Sequence, residues 1–193
     1  VLDAHESAVF KRTTLAREGY LTDFDAQFEI ANNPALPAGL QAFAQDQVLP
    51  ALLARVSAGG LPANHYIGEI VSTRQPITNG GLTLRNFRNT AGLGGALSVL
   101  VETRLDPRHD PFASYRNIAV RVQRQQLCIR SFLAEVHTRR AAILAHTAAA
   151  RRQQLASLQH HARSRRNHRS RRGNARARGL NAYRLSGLRP TQR

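Results

Sequence analysis

Two short groups of titratable residues have side chains that could do chemistry: DAHE at residues 3–6 and ETR at residues 102–104. An imidazole can bind a metal ion and a carboxylate can move a proton, so either group could belong to a catalytic site. Each group alone is a weak signal. A histidine at a strand end is more often structural, and a Glu-x-Arg pair is more often a surface ion pair.

The apolar residues before each group predict strands that end there. Residues 1–4 (VLDA) are interpreted as the last part of a strand that delivers His5 and Glu6 to a sheet edge. Residues 96–101 (ALSVLV) predict a buried strand from whose end Glu102 emerges. Functional residues often gather at such strand ends in α/β proteins, so we expect these groups to lie at the edge of a sheet.

Apolar residues at helical spacing predict an amphipathic helix over residues 37–58, kinked or broken at Pro50. One or two long helices are predicted from about residue 112 to about residue 158. The sequence therefore predicts an α/β fold: an incomplete mixed open sheet flanked by helices, with a long C-terminal helix.

Three further segments have weaker patterns. Residues 10–33 lack sustained periodicity and are interpreted as a long ordered loop. Residues 66–73 alternate apolar and polar side chains, which predicts a half-buried strand, and residues 78–95 are rich in Gly, Asn and Thr, which predicts a loop.

The basic charge is concentrated in a C-terminal tail. The formal net charge is +16, but residues 151–193 hold 13 of the 28 Lys and Arg and none of the 12 Asp and Glu, which leaves +3 on residues 1–150. We expect a catalytic-type domain over residues 1–150 and a largely disordered basic tail over residues 151–193. An Arg-rich tail could bind nucleic acid or another acidic surface. Alternatively, it is the product of a shifted reading frame in a GC-rich gene.

The hydropathy and the start of the chain lead to two further expectations. No apolar run approaches the roughly 20 residues of a membrane span, so no membrane span is expected. The chain begins with Val1 in what resembles mid-strand and contains no Met, so we expect its start to be a cut that removes an N-terminal part.

Several segments together resemble the zinc metallocarboxypeptidase family, in particular its bacterial branch. RNTAGL at 88–93 and ALSVLVETR at 96–104 are similar to a family stretch in which Arg-Asn-x-x-Gly-Leu leads into an apolar strand ending in Glu-Thr-Arg. LDAHE at 2–6 resembles the branch's Asp-x-His-Glu motif, and residues 24–34 have a similar counterpart. The likeness covers about residues 1–150 and implies the C-terminal part of a catalytic domain.

The resemblance implies a zinc-dependent hydrolase that cuts a peptide or amide bond. His5 would be the third zinc ligand, and Asp3 or Glu6 could orient it. Glu102 would be the general base that takes a proton from zinc-activated water and passes it to the leaving amine. Related enzymes are often periplasmic or secreted.

Two arginines are candidate substrate-binding residues. Arg88 could grip a substrate carboxylate or the developing oxyanion through two parallel hydrogen bonds, but an Arg-Asn pair before a Gly-rich turn also commonly anchors a loop. Arg104 shares a strand face with Glu102 because side chains alternate along a strand. It could brace the carboxylate, line the pocket or form an ordinary ion pair.

The sequence also departs from the family. The His-x-x-Glu motif that supplies the first two zinc ligands is absent, and a catalytic zinc normally has three protein ligands, so we expect the isolated chain to be inactive. The other hypotheses are a binder of nucleic acid or an acidic surface through residues 151–193, and a non-catalytic relative that keeps the fold as a scaffold.

Overall fold

The computed structural model describes residues 1–8, 24–68, 74, 80–105 and 118–160. The strands are β1 (Leu2–Ala8), β2 (Ala26–Ile30), β3 (Ala63–His65) and β4 (Val99–Leu105). The helices are α1 (Ala38–Phe43), a π-helical turn (Ala44–Val48), α2 (Leu49–Ala58), α3 (Phe87–Leu93) and α4 (Ile118–Thr138), and residues 140–160 are also helical. The chain divides into two compact units, residues 1–151 and 152–193. Most of the predicted disordered tail lies outside the described residues.

The sheet is mixed, with the strand order β1-β4-β2-β3. Strand β4 pairs with β1 in parallel and with β2 in antiparallel orientation, and β2 pairs with β3 in parallel. The predicted α/β class, with a mixed open sheet, flanking helices and long C-terminal helices, is confirmed. Strands β4 and β2 are the two interior strands, because each pairs along both of its edges.

One face of the sheet carries the hydrophobic core. Alternate residues of β2 and β4 point to this face, and Phe28, Val99 and Val101 are each fully buried there. The core is completed by side chains of the π-helical turn, α2 and α4, namely Val48, Leu52, Val56, Cys128 and Phe132. Burial raises the pKa of the Cys128 thiol to about 12, so this side chain stays a neutral packing group at physiological pH.

The helix predicted over residues 37–58 is confirmed, and its predicted irregularity takes the form of the π-helical turn. This turn lies directly before Pro50, which occupies the first turn of α2. A proline has no N–H to donate to the preceding turn, so the helix tolerates it best where the regular hydrogen-bond pattern is already interrupted. Gly60, with a φ of 88°, ends the segment in a conformation that favours glycine.

Both candidate groups lie inside strands rather than at strand ends, which corrects the expected boundaries. Strand β1 continues to Ala8, so His5 is in its middle, and β4 runs to Leu105, so Glu102 is also in mid-strand. Both strands persist because each of these residues still pairs across the ladder, His5 opposite Glu102. When only one face of a sheet is apolar, polar residues within a strand can be mistaken in the sequence for the end of that strand.

Three other expectations need correction. Strand β2 lies within the segment interpreted as a loop, and all five of its residues are buried. Of the strand expected at 66–73, residues 66–68 are not in a strand, since β3 ends at His65, and residues 69–73 lie outside the described part. The expected loop at 78–95 contains α3, which begins after Asn86 and ends before Gly94.

Within the described residues, no helix is both long and apolar enough to cross a membrane.

Candidate active site on the polar face of the sheet

His5 and Glu102 lie side by side on the face of the sheet opposite the hydrophobic core. They occupy matching positions of the parallel strands β1 and β4. His5 Nε2 is 3.4 Å from Glu102 Oε1. The His5 side chain is 48% exposed and that of Glu102 is 8% exposed. The fold therefore brings together the two residues that the sequence analysis singled out, with the imidazole open to solvent and the carboxylate recessed behind it.

The second carboxylate oxygen of Glu102 is held by Gln27 of β2. Gln27 lies opposite Glu102 in the antiparallel ladder, and its Nε2 donates to Glu102 Oε2 at 2.8 Å. Both side chains are buried. The two oxygens of Glu102 thus have different surroundings, since one accepts from an amide and the other faces an imidazole.

Sequence reasoning missed Gln27, although a signal for it exists. The sequence AQFEI at 26–30 alternates apolar and polar residues with period two. Ala26, Phe28 and Ile30 belong to the core, which places Gln27 and Glu29 on the other face. The pattern was obscured because Gln and Glu are uncommon in buried strands and are frequent in loops.

Helix α4 fixes the backbone of the two strands from the core side. Gln125 Nε2 donates to the carbonyl oxygen of His5 at 2.6 Å and to Thr103 Oγ1 at 2.9 Å. Arg121 binds both carboxylate oxygens of Glu6. The hydrogen bond from Arg121 holds the pKa of Glu6 below its ordinary value. Glu6 therefore ties β1 to α4, and its side chain lies on the face opposite His5. Asp3, the other candidate to orient His5, shares the face of His5.

Arg88 lies in a buried ion pair on the polar face. Its Nη2 is 2.6 Å from Glu29 Oε2, and the two side chains are 6% and 7% exposed. Arg88 also donates to the carbonyl oxygen of Gly81 at 3.2 Å. Burial raises the pKa of Glu29, and the nearby Arg88 charge and the N–H group of Gly80 offset part of this increase. This geometry agrees with the loop-anchoring alternative for Arg88, and its substrate-binding role stays a prediction.

Asn89 is fully buried and joins two loops. Its Oδ1 accepts from the backbone N–H groups of Asn32 at 2.8 Å and Asn33 at 3.2 Å. Its Nδ2 donates to the carbonyl oxygens of Gly81 at 3.2 Å and Thr83 at 3.1 Å. Together with Arg88, it anchors the segment after β2 and the loop before α3 beside the polar face.

Arg104 forms an ion pair at the side of the sheet. Its Nη1 is 3.5 Å from Asp25 Oδ1, and Arg124 of α4 approaches the other oxygen of Asp25 at 3.4 Å. All three side chains are partly exposed. These contacts agree with the ion-pair alternative for Arg104, and its substrate-binding role stays a prediction.

The donor types at the site suit zinc, but their number does not. Imidazole nitrogen and carboxylate oxygen are both common zinc ligands, and a catalytic zinc normally takes three protein ligands. Within residues 1–8, 24–68, 74, 80–105 and 118–160, no group of three His, Cys, Asp or Glu side chains could hold a metal ion. His5 and Glu102 by themselves therefore do not form a zinc site.

No protein-family model, curated protein or solved structure was found to match this chain.

Proposed function

We propose that this chain is part of a zinc-dependent hydrolase of the carboxypeptidase type, which cuts a peptide or amide bond. His5 supplies one metal ligand and Glu102 is the general base. The remaining ligands come from outside the residues described above. The observation that carries this proposal is the adjacency of His5 Nε2 and Glu102 Oε1, 3.4 Å apart on a polar face with a recessed carboxylate.

The side chains around Glu102 are compatible with the role of a general base. Glu29 lies in a buried ion pair with Arg88. The nearest partners of Glu102 are instead the neutral amide of Gln27 and the imidazole of His5. Of the two buried glutamates on this face, Glu102 is therefore the one that faces the half-exposed imidazole, whereas Glu29 is paired with a buried guanidinium.

The division of work between the two residues follows from their exposure. His5 is half exposed, so its imidazole can reach a ligand from solvent, while its backbone is fixed by Gln125. When bound, zinc would lower the pKa of water to about 7 and polarise the substrate carbonyl. Glu102 takes a proton from the attacking water and delivers it to the nitrogen of the leaving amine. We leave Arg88 out of this scheme because substrate binding would require it to abandon the buried Glu29.

The test compares two proteins: the 193-residue chain, and the same chain extended at its N terminus by the in-frame coding sequence of its gene. Zinc content and hydrolysis of blocked dipeptides are measured for both. We expect the extended protein to hold one zinc per chain and to cleave the substrate, and the shorter chain to bind zinc weakly.

Three variants of the extended protein make the assignment specific. Glu102→Gln should retain zinc and lose at least about 100-fold in kcat, because it removes the base and leaves the metal ligand. His5→Ala should lose zinc. His65→Ala is the matched control, since His65 is exposed on the same sheet and should be silent. Retained activity in Glu102→Gln would exclude the proposed mechanism, and a folded extended protein without zinc or activity would favour the scaffold hypothesis.

A further inference from the structure

We propose that Gln27 is a positioning residue that assigns the two oxygens of Glu102 to different tasks. It holds Oε2 and leaves Oε1, the oxygen facing His5, to exchange the proton. This inference rests on the proposed function, and it names a residue that neither of the two sequence motifs contains.

The orientation of the Gln27 amide is fixed by a partner that can only donate. The backbone N–H of Ile67 donates to Gln27 Oε1 at 3.2 Å. Because the oxygen end of the amide must therefore face Ile67, its nitrogen end faces Glu102 Oε2 at 2.8 Å. A flipped amide would place an N–H group against the N–H of Ile67 and an oxygen against the carboxylate.

The same amide also reaches β1. Gln27 Nε2 lies 3.3 Å from Ser7 Oγ, on the strand that carries His5. Gln27 thus contacts Ser7 of β1, Glu102 of β4 and the segment after β3. A side chain with all of its polar atoms engaged has little freedom to rotate, so it transmits a fixed position to the carboxylate it binds.

A neutral donor is the appropriate partner for this task. A cation at the same place would hold the carboxylate more strongly and would also reduce its ability to accept a proton. The amide restrains one oxygen without adding charge. General-base catalysis needs the accepting oxygen within hydrogen-bond reach of the proton, and misplacement by about 1 Å can cost about 100-fold in rate.

The first part of the test uses the 193-residue chain and needs no activity. In the ¹⁵N-labelled chain, the side-chain NH₂ signal of Gln27 is assigned by its loss in Gln27→Met. We expect this signal to move strongly in Glu102→Leu and weakly in Ser7→Ala. A signal that does not respond to the replacement of Glu102 would overturn the proposal.

The second part uses the extended, zinc-loaded protein. Gln27→Met should lower kcat about 10- to 100-fold while KM and zinc content stay unchanged. Gln45→Met, at an exposed position of the π-helical turn, is the matched control. If Gln27→Met does not fold, Gln27→Asn keeps a buried amide but withdraws it by one methylene, and it should show the same loss in kcat. A purely structural amide would instead be rescued by asparagine.

The outcomes separate the two proposals. Full kcat in a folded Gln27→Met variant overturns the role of Gln27 and leaves the hydrolase assignment intact. Absence of zinc-dependent hydrolysis in the wild-type extended protein overturns the hydrolase assignment and the catalytic role with it, whatever the ¹⁵N signal shows.

Discussion

The two faces of the four-stranded sheet are built from alternate residues of the same strands, yet they differ in how burial is achieved. On the core face, Phe28 and Val101 are buried against helices by apolar contact. On the polar face, Gln27, Glu29 and Glu102 are also buried, but each is held by hydrogen bonds or by an ion pair. Apolar burial is stabilising in itself, whereas buried polar groups must find partners to offset their lost hydration.

The apolar side chains that stabilise the fold and the polar side chains of the candidate site therefore alternate along the same strands. The core face can be repacked with side chains of similar size at small cost, since dispersion contacts are not directional. On the polar face each replacement leaves a named partner unsatisfied.

The largest effect is expected on the core face. Phe28→Ala removes a fully buried aromatic ring from the middle of the sheet and leaves a cavity. It should reduce the free energy of unfolding by about 4 kcal/mol, measured by urea denaturation. Phe28→Leu is the control and should cost much less. If the two variants were equally stable, the tight packing described for this face would be contradicted.

On the polar face, breaking the buried ion pair of Arg88 and Glu29 should lower the free energy of unfolding by almost as much. Arg88→Met leaves the Glu29 carboxylate buried without its cation and should reduce the free energy of unfolding by about 3 kcal/mol. The double variant Arg88→Met/Glu29→Gln removes both charges and should recover most of this loss. No recovery in the double variant would contradict the contrast between apolar and polar burial.

The same pair predicts a pH dependence. The Arg88 charge lowers the pKa of Glu29, so its removal should raise that pKa further above the ordinary value. A raised pKa in the folded state contributes stability at low pH that is lost as the pH rises through the folded-state pKa. Arg88→Met should therefore be less destabilising in acid than at pH 7, as measured by urea denaturation across pH.

A smaller loss is expected where α3 approaches the end of β2. A Cβ atom at Gly92 would lie 2.6 Å from Ala31 Cβ and 2.9 Å from Leu36 Cδ2, and both distances are too short. Gly92→Ala should therefore displace the helix that carries Arg88 and Asn89 and cost about 2 kcal/mol. Gly39→Ala is the control, because a Cβ there meets nothing within 4 Å. Equal stability of both variants would show that α3 can move without cost.

The smallest effect is expected at the partly exposed pair of Glu6 and Arg121, which joins β1 to α4. Glu6 has a pKa below its ordinary value of 4.5, so the stability it contributes is present above about pH 4.5 and is lost as the pH falls. Glu6→Gln should reduce the free energy of unfolding by less than about 1 kcal/mol at pH 7, and the difference from wild type should shrink as the pH falls below 4.5. A difference that is constant with pH would contradict the assignment.

The sequence predicted the parts of the molecule that depend on strong local periodicity. These parts are the helix containing Pro50, the long helix α4 and the apolar half of β4. In each of them the pattern of apolar residues is visible within one continuous segment of sequence. His5 and Glu102 were paired through the resemblance of their motifs, and the parallel ladder places them opposite each other. Their catalytic roles stay a prediction.

The rest depends on partners that are distant in the chain. Strand β2 is central to the polar face, but its glutamine and glutamate are understandable only when Glu102 and Arg88 are placed beside them. The burial of Arg88 could not be predicted for the same reason, since its partner Glu29 lies on β2, far away in the chain. Strands β1 and β4 extend further towards the C terminus than predicted, to Ala8 and Leu105, because strand pairing rather than hydropathy determines where they end.

The parallel pairing of β1 with β4 has a consequence for folding kinetics. These strands come from opposite ends of the sheet-forming sequence, so the chain must close a very long loop before His5 meets Glu102. Contacts of high sequence separation form slowly, whereas the helical segment from α1 to α2 relies on local contacts. A partly folded chain can thus be rich in helix while His5 and Glu102 are still far apart.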